Sequence, residues 1–215
     1  LVEVHRPTDL PAAGAIQSGA EPFVKAVILC PAETVGPLMD LAIQKRGVYR
    51  STEYLSEIRV KLVYELPLAE ILIDFYDRLK SLTRGYGSFD YELIGYRPAK
   101  LVRLDILLNG RLCEPLSSIV PKEQAYEKGK ALVERLKTLI PRQLFEVAIQ
   151  AAIGSHVIAR ESVRALAKNV TGKCYGGDIT RKRKLWERQA EGKRRMKQFG
   201  NVEIPQEAFL AVLKI

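Results

Sequence analysis

The alternation of apolar and polar positions divides the chain into short elements of two periods. Residues 23–30 (FVKAVILC) are rich in β-favouring side chains and stand between Pro22 and Pro31, which predicts a strand. Val35, Leu38, Met39 and Ala42 then recur at the i, i+3, i+4, i+7 spacing of a helix, with Thr34 placed to cap its start and Gly47 to close it. Residues 48–55 and 58–66 read as a hairpin, and in the second run Ile58, Val60, Leu62 and Tyr64 share one face. A second helix is predicted from Pro67, its stripe of Leu68, Ile71, Leu72, Phe75, Leu79 and Leu82 ending before Gly85, and a last strand over 89–96. The order β-α-β-β-α-β names a ferredoxin-like sandwich, a sheet with two helices on one side, over residues 22–99.

The pattern restarts near Lys100. Residues 101–109 (LVRLDILLN) predict a strand that ends in the turn pair Asn109-Gly110, with 111–114 returning as a short partner. An amphipathic helix is predicted over 122–139, with Ala125, Leu132, Val133, Leu136 and Leu139 on its apolar stripe and Pro141 as its stop. Two strands, 144–152 and 156–161, are joined at Gly154 and Ser155, and a short helix is expected over 162–168. A basic helix and a closing helix over 205–213 complete a second small α+β domain, residues 100–215. The opening 1–21, rich in Pro, Gly and Ala, reads as a linker from a preceding domain. With Leu1 in place of Met, it predicts a piece of a longer protein.

Charge changes this picture in one place. Nine of the seventeen residues from Arg181 to Lys197 are Lys or Arg and two are Glu, so this run carries +7 of the chain's +9. Cations at that density gain binding free energy by releasing counterions from a polyphosphate, which points to nucleic acid. A solvated helix face or a tail is the plainer reading of a charge run. Leu185, Trp186, Ala190 and Met196 offer an apolar edge for docking, and ordered-looking sequence resumes after the run, both of which disfavour a tail. Tyr175 and Trp186 flank the start of the run, where rings between cations suit stacking on RNA bases, while Trp186 suits a core anchor equally well. Gly172, Gly176 and Gly177 would let backbone amides approach phosphates.

Near-matches to catalytic patterns along the same chain fall short of them. A P-loop built on Gly172-Lys173 would need Gly at 167 and Ser or Thr at 174, where Ala167 and Cys174 stand. Asp74 and Asp77 share a helix face beside Arg78 and Lys80 and read as solvated charges. Ser155 and His156 are neighbours in a predicted strand and so point to opposite faces. Cys30, Cys113 and Cys174 are too widely spaced for a zinc knuckle, and no base accompanies Cys174. The sequence contains no catalytic or metal-binding set and favours binding over bond-making.

The stretch KCYGGDITRKRKLWERQAEGKRRMKQFGNVEIPQEAFLAVLKI resembles the C-terminal signature of the LepA-type translation factors. The segments YELPLAEILIDFYDRLKSLTRGYGSFDYELIGYR, LVRLDILLNGRLCEPLSSIV and IPRQLFEVAIQAAIGSHVIARESVRALAKNV resemble the preceding parts of the same family; in the C-terminal signature itself, Trp186 stands where Leu is more usual in the family. The resemblance implies a ribosome-associated GTPase related to elongation factor G, proposed to move tRNAs backward on stalled ribosomes and to support fidelity and efficiency under stress. Its GTP and Mg would be held by an N-terminal GTPase domain outside this chain. Residues 22–99 would correspond to the domain V-like unit and 100–215 to the family-specific C-terminal domain, which faces tRNA and large-subunit RNA. Carried over by position, the RNA-binding candidates are Lys173, Tyr175, Arg181, Lys182, Arg183, Lys184, Arg188, Lys193, Arg194, Arg195 and Lys197, with Gly172, Gly176 and Gly177 for backbone approach to phosphate. The implied partners are the ribosome, its RNA and proteins, and tRNA, bound by a monomer in the cytoplasm. The basic helix also suits an anionic membrane surface, and an organellar origin stays open. A protein-interaction module that docks ribosomal proteins or the GTPase core is the alternative from a different class.

Overall fold

The computed structural model describes residues 2–11, 13–172 and 179–213, which form two compact units, one of Gln17–Lys100 and one of Leu101–Leu213 together with Leu1–Ile16. In the first unit the elements are β1 (Ala20–Pro31), α1 (Val35–Gln44), β2 (Val48–Tyr54), β3 (Arg59–Pro67), α2 (Leu68–Ile71), α3 (Phe75–Leu82) and β4 (Ser88–Pro98). The strands pair antiparallel in the order β2-β3-β1-β4, the order of the ferredoxin-like sandwich. Period-two alternation sends Val24, Ala26, Ile28 and Cys30 of β1 to the same face as Val60, Leu62, Tyr64 and Leu66 of β3. Leu38 and Leu41 of α1 and Phe75 and Leu79 of α3 close that face into a core.

Three expectations are corrected here. The predicted second helix is two helices, broken at 72–74. Leu72 is exposed there instead of lying on the apolar stripe, and Asp74 starts α3 while accepting a 2.6 Å hydrogen bond from Lys45 Nζ. Thr34 does not cap α1 with its side chain; its hydroxyl donates to the Pro31 carbonyl at 2.8 Å. The left-handed residue closing α1 is Arg46, at φ +57, while Gly47 is needed for space: a Cβ there would lie 2.7 Å from the Ala42 oxygen.

The second unit contains β5 (Leu101–Leu108), β6 (Arg111–Leu112), β7 (Ser118–Pro121), α4 (Ala125–Leu139), β8 (Val147–Ile153), β9 (His156–Val163), α5 (Ile179–Phe199) and α6 (Gln206–Leu213). The sheet runs β6-β5-β8-β9, with β7 also paired to β5. Leu104, Ile106 and Leu108 of β5 share a face with Ile149 and Ala151 of β8, and Leu132, Val133 and Leu136 of α4 pack on that face. Asn109 at φ +52 and Gly110 at φ +79 make the expected tight turn. Residues 162–168 are not a helix. β9 continues to Val163, and beyond it Arg142 donates to the carbonyls of Arg164 and Ala165 while the Leu166 amide donates to the Gln143 carbonyl, bonds that hold the chain out of a helix.

Candidate nucleic-acid interface

The basic run forms α5, 21 residues long and so about 31 Å from end to end. None of residues 179–198 is buried. With 3.6 residues per turn, the half-buried positions Lys182, Leu185, Gln189, Gly192, Lys193 and Lys197 fall on one side of the helix. Arg181, Lys184, Arg188 and Arg195 fall within roughly 60° of one another on the other side, all exposed, and make one cationic stripe. Arg183 and Arg194 are exposed beside it.

Not every cation in the run is unengaged. Arg183 Nε donates to Glu187 at 3.1 Å and Arg195 Nη2 donates to Glu191 at 2.5 Å, both across one turn, whereas Lys184 and Arg188 make no ion pair among the described residues. The helix is tied down by polar contacts: Gln189 Nε2 donates to the Lys168 carbonyl at 2.9 Å, and Arg111 Nη2 donates to the Gln198 carbonyl at 3.0 Å. At its end Gly200 passes so close to Phe145 that a Cβ would lie 2.4 Å from that ring.

The apolar edge anticipated from Leu185, Trp186, Ala190 and Met196 does not form one stripe. Leu185 is half-buried, whereas Trp186 is 54% exposed and Met196 50%, so Trp186 is no core anchor. Lys173, Tyr175, Gly176 and Gly177, and Cys174 with them, lie outside the described residues, while Gly172 sits in a turn beside Asn169. The structure also brings in a residue that charge density alone missed. Arg111, one position beyond the Asn109-Gly110 turn, reaches the end of α5 across 87 positions of sequence. Its only signal in the sequence was a cation beside a hairpin turn.

Among the described residues no group of three or more His, Cys, Asp or Glu is placed to hold a metal ion, and no helix is long and apolar enough to cross a membrane. Asp74, half of the carboxylate pair, is engaged by Lys45 and Arg78. His156 is exposed at the start of β9.

Comparison with known proteins places both units. Residues 19–107 match the family model described as elongation factor G C-terminus, and residues 108–214 match that described as GTP-binding protein LepA C-terminus. Elongation factor 4 of Geobacillus thermodenitrificans is 59% identical over 214 residues, 100% of this chain and 35% of that protein. The same-named protein of Anoxybacillus flavithermus is 59% identical over 212 residues, covering 99% and 35% of the two chains, and that of Desulforudis audaxviator 58% over 215 residues, covering 100% and 36%. The chain thus spans about a third of the length of the curated relatives it matches. With the two models tiling residues 19–214 and this identity running along the whole chain, the chain belongs to the LepA family of translation factors, the elongation factor 4 family, and carries its elongation factor G-type and LepA-type C-terminal domains.

Proposed function

We propose that this chain is the ribosome- and tRNA-binding part of a translational GTPase, and that it grips RNA through the outward stripe of α5. The observation that carries the reading is the cationic face itself: Arg181, Lys184, Arg188 and Arg195 aligned along a helix with no buried side chain among residues 179–198. A helix that contributed only to the core would bury a stripe; this one keeps its charge in solvent, where phosphates are reached. The names of the relatives support a role in translation. On this reading GTP and its magnesium belong to the part of the relatives' length that this chain does not match, and the bound RNA is tRNA together with large-subunit RNA. The factor then acts in the cytoplasm to move tRNAs backward on stalled ribosomes and to sustain fidelity and efficiency under stress.

The test is a salt series of binding to tRNA and to ribosomes, comparing the chain with a variant carrying Ala at Arg181, Lys184, Arg188 and Arg195. Each lost phosphate contact is expected to reduce the slope of log K against log salt by about one unit. An unchanged slope would make α5 a solvated face and remove it from the interface. A second reading, docking of a protein through residues 17–100, draws on the apolar side chains left exposed on β2 and β4, Tyr54 at 70%, Leu93 at 61% and Tyr96 at 69%. Ribosome binding that survives charge removal but is lost on substituting those three would favour it.

A further inference from the structure

The turn between β5 and β6 and the end of α5 enclose an open cavity of about 670 Å³ whose lining is unlike the stripe described above. Three cations line it from two distant parts of the chain, Arg111 from the hairpin and Arg194 and Lys197 from α5, and no carboxylate among the described residues does. Its remaining wall is apolar, from Leu108, Leu112, Val202 and Ile204. Cations around an aliphatic pocket match a phosphorylated ligand that also has an apolar, flat part. A bare anion would leave the apolar wall unused, and a lipid tail would leave the amides unused.

Asn109 fixes the turn that forms one side of the cavity. Its Oδ1 accepts the Ala148 backbone N–H at 2.9 Å and its own N–H donates to the Ala148 carbonyl at 2.8 Å, which fixes the amide. Its Nδ2 is buried without a hydrogen-bond partner, in a residue held at φ +52 on the cavity wall. An unsatisfied donor of this kind costs about 1–3 kcal/mol. Gln198 and Asn201 stand on the same lining. The carbonyls at the end of α5 would repel an anion, but that of Gln198 is occupied by Arg111 and that of Met196 by the Gly200 N–H at 2.7 Å.

We infer that this cavity holds one unpaired nucleotide of an RNA strand whose backbone follows α5, with its phosphates on Arg111, Arg194 and Lys197 and its base against Leu108, Leu112, Val202 and Ile204. The inference rests on the reading of α5 as an RNA-binding helix and adds to it a preference for a base turned out of a duplex. Single-stranded RNA presents such bases and a duplex does not. Base contacts of this type discriminate, whereas the stripe binds any polyphosphate.

The test uses the whole chain and two probes, an oligouridylate of about 12 nucleotides, within the range of single-strand site sizes, and a blunt RNA duplex of the same strand length. Leu112→Gln leaves the charge unchanged at an exposed position. It is expected to weaken the single strand about fivefold, the cost of one degraded apolar contact, and to leave the duplex unaffected. Wild-type Cys113, half-buried on the same lining, gives an independent readout without any substitution. Its alkylation by a maleimide, followed by peptide mass, is expected to slow when the oligouridylate is bound and not when the duplex is. Equal loss for both probes, or a Cys113 rate indifferent to the single strand, overturns the cavity as a nucleotide site while leaving α5 intact as an RNA-binding element. Failure of the wild-type chain to bind either probe in a salt-dependent way overturns the RNA reading and this inference with it.

Discussion

At the scale of single residues, Arg46 carries an unusual share of the first unit. It adopts a left-handed φ of +57, uncommon for a residue with a Cβ, and its guanidinium fork donates to both oxygens of Glu21, at 2.7 and 2.9 Å, while Nε reaches Glu70 at 3.3 Å. Glu21 and Glu70 are both buried. Arg46→Ala would leave two buried carboxylates without this partner, and a loss of about 3 kcal/mol is expected in urea unfolding. Arg46→Lys keeps a charge but loses the fork, so it is expected to recover only part of that loss. Glu65 makes a pH prediction on the same sheet. The hydrogen bond from Arg50, and after it that from Arg97, hold its carboxyl below the usual carboxylate range against desolvation, which raises it. Because the folded value is depressed, the stabilisation is present above the unfolded value of about 4.3 and is lost as pH falls through the lower folded value. Urea midpoints across that window should therefore fall less steeply for Glu65→Gln than for the wild type, and equal slopes would show that this carboxylate does not contribute.

At the scale of elements, two of the helical glycines separate packing from propensity. A Cβ on Gly129 of α4 would meet Ile158 Cδ1 at 2.9 Å and Ala151 Cβ at 3.3 Å, whereas a Cβ on Gly192 of α5 would meet nothing within 4 Å. Gly192→Ala is expected to slow amide hydrogen exchange along α5 by stabilising that helix about 1 kcal/mol. Gly129→Val is expected to lower the unfolding free energy by about 2 kcal/mol through overpacking, and a neutral result would show that α4 sits more loosely on its sheet. The same contrast explains which elements were legible in the sequence. β1, β3 and α1 are packed by their own periodicity, so Val24 to Cys30 and Val60 to Leu66 reveal both strand and face. The break at 72–74 goes with an ion pair to Lys45, 29 positions away, and the non-helical path of 164–166 goes with hydrogen bonds from Arg142 and to the Gln143 carbonyl. No local pattern encodes such partners. β7 escaped notice because four residues, Ser118–Pro121, show too little alternation until paired with β5. In the candidate site the charge of α5 was plain, but its division into an outward stripe and a cavity wall depends on where Asn109 and Arg111 stand.

At the scale of the whole molecule, charge is divided as sharply as the fold. Residues 17–100 hold eleven Lys or Arg and eleven Asp or Glu, whereas residues 101–215 hold 22 and 12. In the first unit the cations are largely spent on neighbours: Lys25 on Glu92, Lys45 and Arg78 on Asp74, Arg46 on Glu21, Lys61 on Glu53, and Arg50 and Arg97 on Glu65. A neutral, internally paired surface has few counterion-releasing contacts to offer a polyphosphate, so on the proposed reading a salt-dependent RNA affinity is expected from the second unit. Each unit has its own hydrophobic core, one built on Phe75 and Leu79 and the other on Leu132 and Leu136, so residues 17–100 and 101–215 are expected to unfold cooperatively as separate polypeptides. If the four cations of the stripe carry the binding, residues 101–215 alone should bind tRNA with a log–log salt slope of about −3, and residues 17–100 should show none. A slope shared between the two halves would move part of the interface onto the ferredoxin-like unit, where Arg59, Lys80, Arg84 and Lys100 are the cations that make no ion pair among the described residues.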